Sequence, residues 1–262
     1  MSEGRLLDLV AELFRVAQRT LVVTGAGMSA DSGLPTYRGI GGLYESESTA
    51  EGVPIEEALS GDMLRRNPAL SWKYIHQIES ACRGARFHSG HAILAELERT
   101  RGCHTILTQN VDGFHTDAGS KNVIEIHGNL RHLACTECDY RVGVDSYAEL
   151  EIPPRCPECG ELVRPDVVLF GEALPRAALE RLALTLESGV DLVVVIGTTA
   201  VFPYIAAPVV HALRAGVPTV ELNPGDSVVS DMVDHHVRLG ARRGLEEIWE
   251  RLTGSRWPPA SS

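Results

Sequence analysis

The chain has 262 residues, 44% hydrophobic and 23% charged, which suits one large domain with a buried core and excludes a chain disordered throughout. Its net charge of −11 repels phosphate backbones, arguing against nucleic-acid binding and favouring basic ligands such as Lys-rich protein tails. The most apolar stretch, 192–196, falls far short of the roughly 20 residues a bilayer demands, and acidic residues interrupt the first twenty positions, so neither a membrane span nor a signal peptide is expected.

Leu6, Val10, Leu13 and Ala17 stand at helical spacing and predict an opening amphipathic helix. Residues 21–24 read as a short buried strand, followed at once by Gly25-Ala26-Gly27 and by a helix expected at Ser29. Residues 40–86 are mostly polar and helical in pattern, without a good central strand. Then come a helix over 91–99, strands over 105–108 and 123–126, and a segment, 133–163, holding four clustered cysteines and three prolines. A helix over 174–186, a strand over 192–196, a helix over 205–215, a strand over 219–222 and a helical run over 245–249 complete the pattern, with a loose tail expected from 251 to 262.

Buried strands alternating with helices predict an α/β protein with a doubly wound, parallel, Rossmann-like sheet. Residues 1–39, 87–132 and 164–250 would form this larger, discontinuous domain. The helical insertion 40–86 and a zinc ribbon over 133–163 would form the smaller one. Six cysteines in such a chain suit metal or reduced thiols and a cytoplasmic location rather than a disulfide framework. Nothing in the sequence specifies an oligomer, and a monomer is compatible with it.

Cys135-x-x-Cys138 and Cys156-x-x-Cys159 are separated by 17 residues, a spacing that lets four thiolates converge tetrahedrally on one Zn²⁺. Four protein ligands leave no open position, so the zinc would be structural. The alternative, four reduced core cysteines, fits poorly with Thr136, Glu137, Asp139 and Glu158 beside them. Cys82 and Cys103 read as ordinary thiols.

The strand–glycine–helix order at Gly25, Ala26 and Gly27 is that of a dinucleotide-binding turn, in which backbone N–H groups approach a pyrophosphate. A full G-x-G-x-x-G would need glycine where Ala30 stands, and a plain glycine turn begins the same way. The length of the run Gly25-Ala26-Gly27-Met28-Ser29-Ala30-Asp31-Ser32-Gly33-Leu34-Pro35-Thr36-Tyr37-Arg38-Gly39 favours a loop that folds over phosphate and ribose.

That run resembles the NAD-binding signature of the sirtuins, the NAD-dependent protein deacylases. Thr108-Gln109-Asn110-Val111-Asp112 with His115 resembles their nicotinamide and ribose pocket, and His127-Gly128 their catalytic histidine motif. Residues 166–172, including Val168, Phe170, Gly171 and Glu172, resemble the substrate-peptide strand. Gly197-Thr198-Thr199 and Leu222-Asn223 resemble the late NAD contacts. The resemblance spans about residues 5–250, with the zinc cysteines between histidine and substrate strand as in that family.

The resemblance implies a reaction in which the acyl oxygen of an acyl-lysine attacks C1′ of the nicotinamide ribose, nicotinamide leaves, and a base takes a proton from a ribose hydroxyl. It assigns that base to His127, a residue type whose ordinary pKa lies near neutrality. It puts Asn110 and Asp112 at the nicotinamide end, Gln109 at the ribose, Arg38 near phosphate or ribose, and Asn223 and Ala241 near the adenosine half. Gly25, Ala26, Gly27, Ser29, Tyr37, Gly197, Thr198 and Thr199 complete the implied NAD contacts. Tyr37 stands where the family usually has Phe, and keeps the ring; Thr199 stands where Ser is commoner, and keeps the hydroxyl. Members that remove succinyl or malonyl groups carry a Tyr-x-x-Arg pair at positions that, aligned on Trp72, are here Ile75 and Ile78. Neutral acyl groups, acetyl first, are therefore expected. The competing readings are mono-ADP-ribosyl transfer or NAD hydrolysis from the same pocket, a non-catalytic NAD sensor or scaffold, and a dehydrogenase.

Overall fold

Leu7, Val10, Ala11 and Phe14 recur at helical spacing and form the buried stripe of α1 (Glu3–Val16). The stripe is turned one residue from the predicted series, with Leu6 and Leu13 flanking it half-buried. The computed structural model describes residues 2–34 and 49–258.

Among the described residues nine strands follow in chain order: β1 (Arg19–Thr24), β2 (Cys103–Thr108), β3 (Val123–Glu125), β4 (Gly128–Cys135), β5 (Arg141–Gly143), β6 (Val163–Val167), β7 (Leu192–Ile196), β8 (Thr219–Leu222) and β9 (His235–Val237). Six of them form one parallel sheet in the order β3-β2-β1-β7-β8-β9. In β7 alternate side chains serve opposite layers, which is why an unbroken apolar run is needed there. Leu192, Val194 and Ile196 pack under α1, α6 (Ser89–Arg101) and α10 (Ala241–Thr253), whereas Val193 and Val195 pack under α8 (Arg176–Glu187) and α9 (Pro203–Ala215). Each fully buried side chain of this kind contributes about 1.5–3 kcal/mol.

From β1 the chain works outward through β2 to β3. It then returns to β7 on the other side of β1 and works outward to β9. The helices reached from β1 and β7, α6 and α9, lie on opposite faces of the sheet, so the strands' C-terminal ends between them form the switch point at whose crevice doubly wound sheets bind ligands.

The smaller module pairs β5-β4-β6 in an antiparallel sheet with α3 (Ile55–Ala58), α4 (Gly61–Arg66) and α5 (Pro68–Cys82). Its core contains Ile55, Leu64, Trp72, Ile75, Ile78, Tyr147 and Leu162. Trp72 lies 5.6 Å from Tyr147, ring to ring, and its indole N–H donates to the Val163 carbonyl at 3.0 Å. The sheet extends from Gly128 to Val167, wider on both sides than the 133–163 segment.

Three local expectations differ from the structure. The helix after the glycine turn, α2 (Ala26–Ser29), starts at Ala26 rather than Ser29. The edge strand β9 was not expected, because its three residues include two half-buried histidines and lack an apolar run. The last helix continues to Thr253, Leu252 is buried, and Trp257 packs edge-on against Trp249 at 5.0 Å, so 251–258 is not loose. No helix among the described residues is long and apolar enough to cross a membrane.

Four histidines are buried: His88 and His91 beside and in α6, His104 in β2, and His115 in α7 (Phe114–Asp117). Burial depresses all four, to about 2 for His91, about 4 for His104 and about 3 for His115. The unfolded chain therefore binds more protons than the folded one once pH falls below about 6.5, and stability present above that value is lost on acidification. Asp112 and Glu125, raised by burial, act in the opposite sense, so the histidines set the net direction. Each histidine contributes up to about 1.4 kcal/mol per pH unit. The thermal midpoint should fall by several degrees between pH 7 and pH 5, at about 2–4 °C per kcal/mol; a constant midpoint over that range would contradict this account.

Candidate active site

The crevice is possible because three glycines let two loops touch. Gly27 donates to the Gly197 carbonyl at 2.8 Å, and Gly25 to Ile196 at 3.2 Å. A Cβ at Gly27 would lie 2.8 Å from the Gly197 Cα, and one at Gly25 would lie 2.6 Å from the Thr198 Cβ. Gly197 itself has φ +58°, and a Cβ there would overlap the Met28 nitrogen. Any side chain at these positions would push the β1 and β7 loops apart.

A polar cluster sits beside this junction. The Ser29 hydroxyl donates to Asp112 Oδ2 at 2.7 Å and accepts from the Asn110 amide at 3.1 Å. That amide also donates to the Gly25 carbonyl at 3.0 Å. Asp112 Oδ1 accepts from the Phe114 N–H at 2.9 Å. Burial pushes the Asp112 carboxyl upward, opposed by its bonds from Phe114 and Ser29. Gln109 donates to the Thr198 hydroxyl at 2.8 Å. Further along the crevice the Asn223 amide donates to the Thr198 carbonyl at 3.1 Å, and Thr199 is exposed, its carbonyl accepting from Val228 at 3.0 Å. Ala26 opens α2. Ala241 opens α10 and is buried, while the next N–H, of Arg242, donates to Asp31 at 3.3 Å.

His127 lies just past β3, where the chain crosses from the large sheet into β4. Its Nδ1 is 3.0 Å from the Gln109 carbonyl and its Nε2 is 2.8 Å from the Tyr204 hydroxyl. A carbonyl can only accept, so Nδ1 carries the proton and Nε2 the lone pair in the neutral ring. Burial lowers the imidazole pKa, opposed by the bond to Gln109, so the ring is neutral near pH 7 and able to take a proton.

The segment 168–172 starts beside it: Val168 N–H donates to the His127 carbonyl at 2.9 Å. Phe170 is held through its backbone, donating to Leu59 at 3.0 Å and accepting from Gly61 at 3.1 Å, and Gly171 turns the chain at φ +79°. Glu172 does not face the crevice as a free carboxylate. It pairs with Arg164 at 2.5 Å and accepts from the Leu169 N–H at 2.9 Å, which fixes the loop that carries Phe170.

The structure thus gathers His127, Gln109, Asn110, Asp112, Ser29, Gly25, Gly27, Gly197, Thr198 and Asn223 around one junction. Ile75 and Ile78 lie instead among the buried side chains of the smaller core. Tyr37 and Arg38 lie outside the described residues. Tyr204 was missed by sequence reasoning; its signal is the aromatic–proline–aromatic series Phe202-Pro203-Tyr204 directly after the Gly197 loop.

The four cysteines converge as their spacing implies. Their sulfurs all lie within 4.8 Å of one another, with Cys135–Cys159 at 3.4 Å and Cys138–Cys156 at 3.6 Å. A thiolate tetrahedron with Zn–S bonds of about 2.3 Å has edges of about 3.8 Å, so the cluster suits one zinc ion with every position filled by protein. The Glu137 N–H donates to the Cys135 sulfur at 3.4 Å, and Gly160, at φ +81°, closes the second knuckle.

A family model described as Sir2 family matches residues 25–203. An NAD-dependent protein deacylase 2 of Pseudomonas aeruginosa is 51% identical over 228 residues, covering 86% of this chain and 89% of the relative. Among solved structures, a Sir2 homologue in complex with NAD superposes with a TM-score of 0.84 at 32% identity, covering 94% of each chain. A Sir2–p53 peptide–NAD⁺ complex does so with a TM-score of 0.81 at 29% identity, covering 94% of this chain and 98% of the other.

Proposed function

The chain belongs to the Sir2 family, and on that premise we propose that it uses NAD to remove acyl groups, acetyl foremost, from protein lysine side chains, releasing nicotinamide and O-acyl-ADP-ribose. The observation that carries this reading is His127, neutral and with its Nε2 lone pair defined, beside the Ser29–Asn110–Asp112 cluster at the crevice. NAD supplies an electrophilic C1′ as nicotinamide departs. Asn110 and Asp112 hold the nicotinamide end, Gln109 the ribose, and the Gly25–Gly27 turn with Ala26 and Ser29 the phosphates and neighbouring ribose. Asn223 and Ala241 hold the adenosine half, and Gly197, Thr198 and Thr199 make further NAD contacts. His127 then takes the proton of a ribose hydroxyl at Nε2. The backbone of 168–171 holds the peptide in extended form, and Glu172 acts by bracing that loop. The net charge of −11 supports Lys-rich protein substrates over nucleic acid. Unpaired cysteines at ligand spacing support a reducing, cytoplasmic setting.

The resemblance aligns Ile75 and Ile78 with the Tyr and Arg of members that remove succinyl or malonyl groups, and neither isoleucine can pair with a carboxylate, which supports a preference for neutral acyl groups. With NAD and matched acetyl-, butyryl- and succinyl-lysine peptides, acetyl and butyryl peptides should turn over. The succinyl peptide should be at least about tenfold slower, since about 1.4 kcal/mol of uncompensated charge costs that much. Mass spectrometry of the products decides it, and a succinyl peptide processed as fast as acetyl would overturn the preference. Nicotinamide release with intact peptides would instead favour ADP-ribosyl transfer or NAD hydrolysis.

A further inference from the structure

We propose that Tyr204 is a positioning residue for this reaction: its hydroxyl holds the His127 ring in the orientation from which Nε2 acts as base. The inference rests on the reading of His127 given above. The Gln109 carbonyl fixes the tautomer, because it can only accept from Nδ1. A single hydrogen bond still leaves the ring able to swing about its Cβ–Cγ bond. The Tyr204 hydroxyl, donating to Nε2 at 2.8 Å, supplies the second tether on the opposite side of the ring.

The phenol is itself held. Tyr204 is the second residue of α9, whose first is Pro203, and its ring stacks on Phe202 at 11° with centroids 5.4 Å apart. The imidazole stands edge-on to both, 6.0 Å from Phe202 and 5.9 Å from Tyr204. Imidazole, phenol and benzyl rings therefore form one packed cluster between β4's entry and the start of α9. Such geometry places the basic nitrogen far more narrowly than a loop histidine alone would allow.

The hydroxyl also fits the chemistry of a base that must change state. It donates to Nε2 while the ring is neutral, can turn about its C–O bond to yield that nitrogen to a ribose hydroxyl, and can accept from Nε2–H once the proton has moved. Phenylalanine would keep the stack and lose all three capacities. The contribution of the hydroxyl is thus separable from that of the ring.

The test compares wild type, Tyr204→Phe and Tyr204→Ala as full-length, zinc-loaded chains with NAD and an acetyl-lysine peptide. Tyr204→Phe should lower kcat about tenfold, the scale on which a lost orienting bond acts, with KM for NAD and peptide and the thermal midpoint near wild type. Tyr204→Ala, which also loses the stack, should lower kcat further. ¹⁵N spectra of the histidine rings should show Nδ1–H of His127 in both proteins, with the Nε2 resonance hydrogen-bonded in wild type and moved toward that of an unbonded imine nitrogen in Tyr204→Phe. Wild-type kcat together with an unmoved Nε2 resonance in Tyr204→Phe would overturn the inference, as would a change confined to KM and melting. If wild type itself lacked deacylase activity the base assignment would fall, and the ¹⁵N comparison alone would still decide whether Tyr204 orients the ring.

Discussion

Replacing His127 by alanine should lower kcat for NAD-dependent deacylation by about 10²- to 10⁴-fold, the contribution of one positioned base. KM for NAD should change little, because the residues proposed to hold the phosphates and adenosine, from Gly25 to Ser29 and at Asn223 and Ala241, make no bond to the His127 side chain. The side chain is half-buried and bonded to Gln109 and Tyr204, so loss of two modest bonds should leave the fold intact by thermal melting. The pH profile supplies a second sign. His127 must be unprotonated to accept a proton, and burial lowers its pKa from the ordinary value near 6.5. The acid limb of kcat/KM in wild type should therefore lie below about 6.5, with the rate falling as pH drops through it. A limb well above 6.5, or an alanine variant with wild-type kcat, would remove His127 from the role of base.

Stripping the zinc should have the largest effect on the fold. Zinc binding to four-ligand knuckles is worth about 10–16 kcal/mol, as much as the whole stability of a typical domain. The smaller module has few alternatives: Cys156 is buried in its core, and the knuckles join β4 to β6. Substituting Cys156 by serine, or treating with a strong chelator, should leave less than about 0.1 equivalent of zinc and unfold that module. Activity should fall with it, because β4 and β6 carry the chain directly between His127 and Val168. Elemental analysis, near-UV circular dichroism and the peptide assay check this together. A metal-free protein with unchanged spectrum and turnover would refute a structural zinc.

Much of this was legible in the sequence because the signals are local. The two Cys-x-x-Cys pairs state their geometry within four residues each, and residues 192–196, short, apolar and rich in valine, read as a strand that the structure buries on both faces. Gly25 and Gly27 announce a close approach, although not its partner: the structure supplies Gly197, 170 positions or more away in the chain, as the surface they meet. What was illegible depends on distant contacts or on too little pattern. β9 has three residues, and its place is set by pairing with β8 rather than by its own composition. Glu172 reads as part of a substrate motif, yet its oxygens are taken by Arg164 and the Leu169 N–H, an arrangement made by the turn between them. Tyr204 reaches His127 across 77 positions, and no periodicity reports such a meeting.

The most direct test of the central claim is the fate of the acyl group. Purified protein, NAD and an acetyl-lysine peptide should yield nicotinamide, deacetylated peptide and O-acetyl-ADP-ribose in equal amounts by mass spectrometry. Deacetylated peptide accompanied by free acetate and unconsumed NAD, or NAD consumed to ADP-ribose with the peptide untouched, would contradict the account.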